Sequence, residues 1–485
     1  MNLIERIDHW AAVAPDAVAH ISADRNLTYG ELRKRSDALA SYLAERFGDD
    51  LSPIAVLGHR EPEMLIAFIA SAKSGRPYVP IDTTLPQQRI DKILTTSRAA
   101  ALFTPEHVAQ FSAREIRDNI KRIEKNAPFY ILFTSGSTGE PKGVIITLDC
   151  LEHFINWMLE EQRFSERAEV FLNQAPFSFD LSVMDLYCSL ATGGTLFSIG
   201  RDLIENPKQL YRTLATSGVS TWVSTPSFAQ MCLVEDTFAE AMLPRLRRFL
   251  FCGETLTPQS AAQLLARFPQ AKVWNMYGPT EATVATTSIQ IDAAILEQYS
   301  PLPVGGTMPG TTIVLLDHSG QELPMNERGE IIIAGPNVSP GYIGRRDLTA
   351  KVFFHYRGQQ AYRTGDLGRF RDGLLFFEGR LDDQIKLNGY RIELQDVEAN
   401  LRKLTIVRDA VIIPRIKNGT AQSLTACVLL VARHETSDFQ LAHSLRTQLG
   451  ERLPGYMLPR KFVFFDKFPM TANGKVDRAA LAGSL

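Results

Sequence analysis

The sequence contains little cysteine and no cysteine pattern that would hold a metal or a disulfide framework. No two cysteines form a Cys-x-x-Cys pair, and the nine histidines are dispersed along the chain. We therefore expect reduced thiols, as in a cytoplasmic protein, and we expect any metal to be bound through oxygen ligands. The five cysteines are Cys150, Cys188, Cys232, Cys252 and Cys427.

Long apolar stretches are also missing. The longest clear one, residues 64–72, is far below the roughly 20 residues that a membrane-spanning helix needs. The start of the chain includes the acidic side chains Glu5, Asp8 and Asp16, whereas a signal peptide begins with positive charge and continues as an unbroken apolar core. These features predict neither export nor a membrane span.

An excess of positive charge is absent as well. Lysine and arginine number 52 against 54 aspartates and glutamates, so the formal net charge is -2. Proteins that bind nucleic acids usually have a basic surface that contacts the phosphate backbone. Because this chain has no excess of positive charge, we expect no nucleic-acid partner here. What is present is an ordinary globular composition with 45% hydrophobic residues, in a chain of 485 residues that is long enough for two or more domains.

The pattern of apolar segments predicts an α/β fold with several parts. Up to about residue 250, helical periodicity alternates with short apolar runs, which is typical of βαβ units. From about residue 300 to 380, β-branched segments are separated by Gly and Pro turns, and the remaining chain has a mixed pattern of its own. The runs interpreted as strands are residues 54–57, 129–133, 169–172, 221–223, 312–316, 330–333, 374–378 and 410–413, and residues 440–451 are interpreted as a helix.

Residues 133–143 form the strongest local motif. Its glycines allow the backbone to approach a ligand closely, its hydroxyls can donate to phosphate oxygens, and Lys142 adds positive charge. The motif is not a Walker P-loop, because Gly143 stands where Ser or Thr would follow the lysine. A flexible surface loop would account for the glycines and serines but not for the whole ordered string, so we interpret the segment as a phosphate-binding loop. Its predicted ligand-binding residues are Thr134, Ser135, Gly136, Ser137, Thr138, Gly139 and Lys142.

A second motif, at residues 275–281, follows the strand-like residues 272–274. Its Gly-Pro turn would present Thr280 and Glu281 at the end of a strand. There the carboxylate can bind a hard cation such as Mg2+ that bridges phosphates. A turn with one glutamate is usually structural when it stands alone, so this motif depends on its neighbours for its meaning.

A third motif, at residues 362–367, carries Asp366, which we interpret as a carboxylate exposed by a short turn between β segments. A carboxylate in a fixed turn can accept hydrogen bonds from both hydroxyls of a ribose. By itself Asp366 would be a surface turn residue. The three motifs together indicate a nucleotide site.

These motifs resemble those of the adenylate-forming enzymes, a family that includes acyl-CoA synthetases, luciferases and the adenylation domains of peptide synthetases. The resemblance implies a large N-terminal domain, residues 1–380, made of two layered α/β subdomains and a small distorted β-barrel. It also implies a small mobile α+β domain, residues 381–485, with a hinge at Asp382. Nearly the whole chain takes part, through further matching segments at residues 27–32, 329–330, 341–342, 379–382, 386–391, 453–457 and 473–478.

The resemblance also implies roles for individual residues. Asp366 would bind the ribose, Tyr277 would stack on adenine, and Thr280 with Glu281 would act on the α-phosphate and Mg2+. The predicted catalytic residues are Lys475, Thr280, Glu281 and Arg380. The predicted nucleotide site adds Asn275, Tyr277, Gly278, Pro279, Thr280, Asp366, Arg380 and Lys475 to the phosphate-binding loop.

Lys475 is the residue that we expect to matter most. It would contact both the substrate carboxylate and the phosphate, which fits a reaction in which two anions must meet. Without the resemblance, this lysine would be interpreted as a solvated turn residue. A mobile small domain would deliver Lys475 for adenylation and then turn at Asp382, so that residues 386–390 approach the acceptor thiol.

Asp180 predicts that the activated acid carries an ammonium group. An ammonium beside a reacting carboxylate needs an anionic partner, and the resemblance places Asp180 where amino-acid activators have one. A fatty acid would leave this carboxylate unpaired, which argues against an acyl-CoA synthetase. Aspartate is also a favoured N-cap, so Asp180 could instead cap a helix that begins at Leu181.

The residues that line the side-chain pocket implied by the resemblance are mostly bulky. Such a pocket should be shallow and should suit a small apolar substrate such as alanine. Met276 and Cys252 are equally expected in an ordinary core. The implied pocket residues are Leu181, Met184, Leu250, Cys252, Met276, Val284 and Ala285.

The segments around Asp180 are most similar to the branch of the family that activates D-alanine for a carrier protein in teichoic acid D-alanylation. We therefore predict a ligase that forms D-alanyl-AMP from D-alanine and ATP and passes the D-alanyl group to a phosphopantetheine thiol. The handedness rests on the resemblance alone. The sequence ends ten residues after Lys475 without a carrier-like segment, so we expect a separate carrier, with coenzyme A as the competing acceptor.

Two other functions stay open. One is a stand-alone adenylation enzyme for another small amino acid, such as L-alanine, glycine, serine or proline, in secondary metabolism. The other is a nucleotide-binding sensor or scaffold that keeps the fold without turnover. The presence of Lys142, Glu281, Asp366 and Lys475 argues against this second function.

Overall fold

The computed structural model of the chain describes residues 1–485 except 24, 112–122, 137–138, 388, 418–419, 433–435 and 471–475; the side chain of residue 420 is also not described. Two compact units are present. The first contains Met1–Asp82, Thr96–Leu132 and Gly143–Leu381, and the second contains Thr83–Thr95, Phe133–Lys142 and Asp382–Leu485. The second unit thus includes two short segments from earlier in the chain, and the domain boundary at residues 380 and 381 stays a prediction.

The strands are mostly short and apolar, as the runs in the sequence predict. Each of the eight predicted strand segments overlaps an observed strand, so these predictions are confirmed. The strands are β1 Val18–Ser22, β2 Arg25–Thr28, β3 Ile54–Gly58, β4 Tyr78–Asp82, β5 Ala101–Phe103, β6 Pro128–Thr134, β7 Lys142–Thr147, β8 Val170–Asn173, β9 Thr195–Ser198, β10 Thr221–Ser224, β11 Arg248–Phe251, β12 Lys272–Tyr277, β13 Thr287–Ile291, β14 Gly306–Thr307, β15 Thr312–Leu316, β16 Gly329–Ala334, β17 Gly341–Tyr342, β18 Phe353–Tyr356, β19 Gln359–Arg371, β20 Leu374–Arg380, β21 Gln384–Leu387, β22 Tyr390–Glu393, β23 Val407–Lys417, β24 Thr420–Leu430 and β25 Lys461–Phe465.

The helices begin at residues that favour helix starts. In the second helix, for example, the Thr28 hydroxyl accepts from the Glu31 amide, and the Glu31 carboxylate accepts from the Thr28 amide in return. The helices are α1 Leu3–Val13, α2 Tyr29–Phe47, α3 Pro62–Lys73, α4 Gln87–Ser97, α5 Pro105–Ala109, α6 Leu148–Gln162, α7 Leu181–Thr192, α8 Arg201–Glu205, α9 Pro207–Thr216, α10 Pro226–Leu233, α11 Pro258–Arg267, α12 Ala293–Gln298, α13 Arg346–Val352, α14 Leu394–Arg402, α15 Asp438–Gly450 and α16 Arg478–Gly483.

The first unit is built from three sheets. A nine-stranded sheet has the order β14-β13-β12-β11-β10-β8-β9-β1-β2, and a six-stranded sheet has the order β17-β7-β6-β4-β3-β5. The strands β8 to β12 are parallel to their neighbours within this group, so their carboxyl ends lie along one edge. Helix α7 is buried along its whole length, which explains why its sequence is mostly apolar and has no charged face.

The predicted β-rich part of the first unit is a five-stranded antiparallel sheet. It has the order β15-β16-β19-β18, and β20 pairs with β19 as a branch. A single bridge between Gly305 and Leu375 joins this sheet to the preceding segment.

The second unit has an α+β architecture. A hairpin of β21 and β22 precedes α14, and a three-stranded sheet has the order β23-β24-β25. The apolar sides of α14 and α15 contribute Val397, Leu401, Leu445 and Leu449 to a separate core. The predicted fold class, a mixed α/β chain with a small α+β C-terminal part, is confirmed.

Candidate functional site

Several predicted site residues of the first unit lie in loops that follow neighbouring parallel strands. From β8 the chain goes to β9 on one side of this strand and then to β10, β11 and β12 on the other side. Loops that leave a parallel sheet in opposite directions open a crevice at the carboxyl ends of the strands, and ligands bind there. Asp180 follows β8, Cys252 follows β11, and residues 278–281 follow β12.

The loop after β12 is closely packed against its own continuation. A Cβ atom at Gly278 would lie 2.6 Å from Ala285 Cα and 2.9 Å from both Thr286 N and Val284 O. Because these are backbone atoms that cannot easily move aside, only glycine fits at this position. Thr283 and Val284 have φ of 56° and 68°, a left-handed conformation that β-branched residues rarely adopt.

Asn275 and Pro279 shape this loop through protein contacts. The Asn275 side-chain amide donates to Pro303 O at 2.7 Å and is buried. Pro279 precedes a short 3-10 turn, Thr280–Ala282, and its carbonyl accepts from Ala282 N at 2.9 Å. Asn275 and Pro279 therefore have a structural role in this loop, and their role in nucleotide binding stays a prediction.

Glu281 is completely buried in this turn. The Tyr342 hydroxyl donates to its Oε1 atom at 2.7 Å, and the backbone of Ser339 donates to its carbonyl at 2.9 Å. The position of the carboxylate is therefore fixed by a tyrosine from β17. Tyr342 belongs to a sequence pair that resembled the family, but this contact could not be inferred from the sequence.

The structure corrects the interpretation of Asp366 as an exposed turn residue. Asp366 is only 4% exposed and lies inside the long strand β19. The preceding Gly365 has φ of 70°, and the pairing register with β20 shifts between Asp366 and Gly368. A strand that bulges in this way can hold a Thr-Gly-Asp sequence, although this composition is typical of turns.

Asp366 is held by two side chains that the sequence places far from each other. The Tyr277 hydroxyl donates to its Oδ2 atom at 2.6 Å, and the Arg380 guanidinium contacts its Oδ1 atom. Burial, and to a lesser extent the Asp366 carboxylate, raise the pKa of Tyr277 well above its usual value. The Tyr277 hydroxyl therefore stays protonated and acts as the hydrogen-bond donor to Asp366. Arg380 also donates to Thr364 O at 3.2 Å, which fixes the direction of its guanidinium.

Asp180 does not cap helix α7. Its backbone is already helical, and its side chain makes no capping hydrogen bond. Instead the Thr280 hydroxyl donates to Asp180 Oδ2 at 2.6 Å. The structure thus rules out the capping interpretation and brings Asp180 next to the loop after β12.

The predicted pocket residues are buried together in one apolar cluster. The Cys252 thiol donates to Val284 O at 3.6 Å, so the loops after β11 and β12 are in contact. Burial suits both a pocket wall and an ordinary core, and the pocket itself stays a prediction. The clustered residues are Leu181, Met184, Leu250, Cys252, Met276, Val284 and Ala285.

The phosphate-binding loop belongs to the second unit. The Ser135 hydroxyl donates to Arg391 O at 2.9 Å and accepts from Glu393 N at 3.1 Å. Thr134 Oγ1 is buried and has no hydrogen-bond partner among the described residues. Such a buried hydroxyl is uncommon in a finished core, and a ligand oxygen would satisfy it.

The glycines of this loop are required by its shape. Gly139 has φ of 78° and donates to Gly136 O at 3.0 Å. A Cβ atom at Gly136 would lie 2.3 Å from Glu140 O. Lys142 is the first residue of β7.

Three predicted site residues, Ser137, Thr138 and Lys475, lie outside the described residues. Asp382 is the first residue of the third segment of the second unit, where its Oδ1 atom accepts from Gln384 N at 3.2 Å. The hinge role of Asp382 stays a prediction.

Sequence reasoning missed the buried polar residues behind the Asp180 loop. Asn173 ends β8 and donates to Asp185, which lies on α7. The available signal was a polar residue directly after an apolar run, and such a residue is common at strand ends.

All five cysteines are free and buried. Within the described parts of the chain, no helix is long and apolar enough to cross a membrane. The same parts contain no group of three or more His, Cys, Asp or Glu side chains that could hold a metal ion by themselves.

Comparison with known proteins identifies the family. The AMP-binding enzyme family matches residues 7–343, and the AMP-binding enzyme C-terminal domain matches residues 396–475. Curated proteins named D-alanine–D-alanyl carrier protein ligase, from Bacillus cereus (strain B4264) and Bacillus mycoides (strain KBAB4), are each 46% identical over 99% of this chain and 99% of their own length.

Solved structures agree in fold. The adenylation domain AlmE of Vibrio cholerae, in complex with glycyl-adenosine-5'-phosphate, has a TM-score of 0.86 at 22% identity and covers 99% of this chain and 97% of its own. PA1221, an NRPS protein containing adenylation and PCP domains, has a TM-score of 0.83 at 26% identity and covers 100% of this chain and 84% of its own. The chain therefore belongs to the AMP-binding enzyme family.

Proposed function

We propose that this enzyme activates D-alanine with ATP to D-alanyl-AMP and pyrophosphate, and then transfers the D-alanyl group to the phosphopantetheine thiol of a separate carrier protein. The observation that carries this proposal is the Asp180 carboxylate, which faces Thr280 at 2.6 Å instead of capping α7. A carboxylate in such a crevice suits the ammonium group of an amino acid. The names of the 46% identical relatives support D-alanine and a carrier protein as its partners.

The nucleotide would be held by the Asp366 carboxylate. Tyr277 and Arg380 fix both of its oxygens, so the carboxylate is already oriented to accept hydrogen bonds from ribose hydroxyls. The Tyr277 ring, which is mostly buried at the end of β12, would stack on adenine. The phosphates would lie against the loop at residues 134–142, where the buried Thr134 hydroxyl has no partner among the residues that the structure describes.

In the first step, a carboxylate oxygen of D-alanine forms a bond to the α-phosphorus of ATP, and the bond from that phosphorus to the pyrophosphate oxygen breaks. Both partners are anionic, so the chain must supply positive charge and hydrogen-bond donors around the α-phosphate. We assign the positive charge to Arg380 and Lys475, and Thr280 would donate to the α-phosphate once the substrate ammonium replaces its hydroxyl at Asp180. Glu281 and Thr280 would hold Mg2+ through their carboxylate and hydroxyl oxygens, and the ion would neutralise charge on the phosphates.

In the second step, the thiolate sulfur of the carrier attacks the carbonyl carbon of D-alanyl-AMP, a thioester forms, and AMP leaves. The carbonyl carbon of D-alanyl-AMP must first be shielded from water and then become accessible to the thiol. We propose that rotation at Asp382 makes this change by withdrawing Lys475 and presenting residues 386–390.

The cellular setting follows from this chemistry. ATP is supplied in the cytoplasm, and we place the reaction there. The product would be a D-alanyl thioester on the carrier, which suits teichoic acid D-alanylation as the pathway.

Amino-acid-dependent exchange between ATP and labelled pyrophosphate tests the substrate. D-alanine should support the fastest exchange in a panel that also contains L-alanine, glycine, serine and proline. If an L-amino acid or glycine is exchanged best, the enzyme is an adenylation enzyme for another small amino acid and the D-alanine assignment is wrong. Formation of a D-alanyl thioester on a phosphopantetheinylated carrier, compared with coenzyme A, identifies the acceptor.

The Asp180→Ala variant tests the observation that carries the proposal. Loss of the charge partner of the ammonium group should lower kcat/KM for D-alanine at least about a hundredfold, since a buried charge pair is worth several kcal/mol when one partner is removed. Asp202→Ala is the matched control, because Asp202 is exposed on α8 of the same unit. Unchanged exchange in Asp180→Ala would remove the reason for choosing an amino acid over a fatty acid.

A further inference from the structure

A chain of buried polar groups lies behind the Asp180 loop. It runs from His20 on β1 through Ser198 on β9 and Asn173 on β8 to Asp185 on α7. His20 Nε2 lies 2.9 Å from Ser198 Oγ, which donates to Asn173 Oδ1 at 2.8 Å. The Asn173 amide then donates to both oxygens of Asp185, at 3.2 and 3.3 Å. None of the four side chains is more than 3% exposed.

The direction of these hydrogen bonds fixes the orientation of the Asn173 amide. Ala175 O can only accept, so the Asn173 nitrogen must face it and the Asn173 oxygen must face Ser198; Ser198 therefore uses its only proton towards Asn173 and accepts from His20. The nitrogen of the amide then faces Asp185 and also Ala175 O, to which it donates at 2.9 Å. One amide thus connects the start of the loop after β8 with the helix at its end.

This connection determines where Asp180 lies. The loop between Asn173 and α7 contains only residues 174–180, and Asp185 lies five residues after Asp180 on the same helix. A helix is stiff over this distance, so fixing Asp185 fixes the first turn of α7 and with it the Asp180 backbone. A second contact holds the same loop, because the Arg60 guanidinium contacts Gln174 O.

Stability alone does not require a polar chain at this place. Buried polar groups are costly unless every one is paired, and apolar residues of the same size often serve a core equally well. Burial raises the pKa of the Asp185 carboxyl well above its usual value and lowers the pKa of His20 to about 3. The burial of both groups makes the direction of their hydrogen bonds decisive for how the chain is held.

We propose that Asn173 and Asp185 are positioning residues that set the place of the Asp180 carboxylate for the amino group of the substrate. The inference rests on the proposed function, because it assigns a supporting structure to the residue that is proposed to bind the ammonium. It predicts that damage to the chain weakens amino-acid binding selectively, because the nucleotide contacts of Asp366 and Tyr277 lie on other strands.

Two substitutions of Asp185 separate positioning from simple packing. Asp185→Leu keeps the forked shape of the side chain, with a larger volume, and removes the acceptor, whereas Asp185→Asn keeps an acceptor oxygen in a side chain of nearly the same size. In Asp185→Leu the KM for D-alanine should rise about tenfold and the KM for ATP should stay within about twofold, because misplacement of a binding group by a fraction of an ångström has this order of effect. Asp185→Asn should restore the KM for D-alanine to within about twofold of the wild-type value.

Leu190→Ala is the control for stability, because Leu190 is buried on the same helix outside the polar chain. Its Tm should fall, yet its two KM values should keep their wild-type ratio. The inference is overturned if Asp185→Leu changes both KM values equally, if Asp185→Asn is no better than Asp185→Leu, or if Leu190→Ala shows the same selective rise.

A milder variant covers the case in which Asp185→Leu does not fold. Ser198→Ala frees the Asn173 oxygen from its donor and should raise the KM for D-alanine about threefold without changing the KM for ATP, and an unchanged KM ratio overturns the inference. The test also separates the two proposals. If Asp180→Ala leaves D-alanine activation intact, the proposed function fails; if Asp180→Ala abolishes it while the Asp185 and Ser198 variants are normal, only the positioning inference fails.

Discussion

The buried imidazole of His20 should make the first unit sensitive to mild acid. Burial is the main cause that lowers the pKa of His20 from 6.5 to about 3, and the nearby Glu63 only partly opposes it. Between these two pH values the unfolded chain binds a proton that the folded chain does not bind. Stability must therefore fall as the pH drops below 6.5, and the loss continues until the pH reaches about 3.

The size of the effect follows from the two pKa values. At pH 5 the unfolded state gains about 2 kcal/mol from protonation of this one histidine, because each pH unit below 6.5 contributes about 1.4 kcal/mol. At pH 7.5 the contribution is close to zero. A loss of about 2 kcal/mol is large compared with the roughly 5–15 kcal/mol that stabilises a typical domain.

Denaturant unfolding of wild type and His20→Gln at pH 7.5 and pH 5 measures this effect. Tryptophan fluorescence is a suitable signal, because the four tryptophans all belong to the first unit, to which His20 also belongs. Glutamine keeps a donor for Ser198 but cannot be protonated in this range. Between the two pH values, the wild-type protein should lose about 2 kcal/mol more than His20→Gln.

His318→Gln is the control, because His318 is exposed in the same unit. This substitution removes one exposed imidazole and leaves the buried His20 in place, so the acid sensitivity of His318→Gln should equal that of the wild type. Equal losses in wild type and His20→Gln would refute the reasoning, because they would mean that the folded protein takes up the proton as readily as the unfolded chain.

Two further predictions concern the loop after β12. Gly278→Ala should lower Tm and reduce the rate of ATP–pyrophosphate exchange at least about tenfold. The new Cβ would collide with the backbone near Ala285, and overpacking of this kind costs about 1–3 kcal/mol. A stable, active variant would show that the loop can move aside. Tyr277→Phe should raise the KM for ATP about tenfold and leave the KM for D-alanine nearly unchanged, because it removes the donor to the Asp366 carboxylate. Steady-state kinetics with each substrate varied in turn measures both values. An equal change in the two KM values would contradict separate sites for the two substrates.

Strands and helices could be predicted where the sequence is locally uniform. The run at residues 312–316 is apolar and β-branched, and it forms β15 with the same bounds. The segment at residues 440–451 corresponds to α15, with a shift of two residues at its start and one at its end. In both segments the local preference agrees with the tertiary environment, so the sequence alone is sufficient.

The site could be predicted in composition but not in its contacts. Asp366 was recognised as a candidate carboxylate, yet its composition suggested an exposed turn and the structure buries it in a bulged strand. Tertiary pairing with β16 and β20 overrides the local turn preference there. The donors Tyr277 and Arg380 come from distant parts of the chain, and no spacing rule relates them to Asp366.

Asn173 and Asp185 show a different limit of sequence reasoning. Asn173 is a polar residue at the end of an apolar strand, and Asp185 is a single acid inside a mostly apolar helix. Polar residues of these types are usually solvent-exposed. Their significance appears only when β8 and α7 are brought together and the amide and carboxyl groups face each other in the core. A buried polar contact of this kind is specified by two elements at once, so neither element reveals it alone.

The loop after β12 connects the two carboxylates that are proposed to bind the two substrates. Tyr277, at the start of this loop, donates to Asp366, and Thr280, three residues later, donates to Asp180. A Cβ atom at Gly278 would meet the backbone of Ala285 and Thr286, so the segment between the two donors is closely packed. The loop would thus set the distance between the nucleotide and the amino acid, and alignment of two reactants is a major source of rate enhancement in a reaction that joins them.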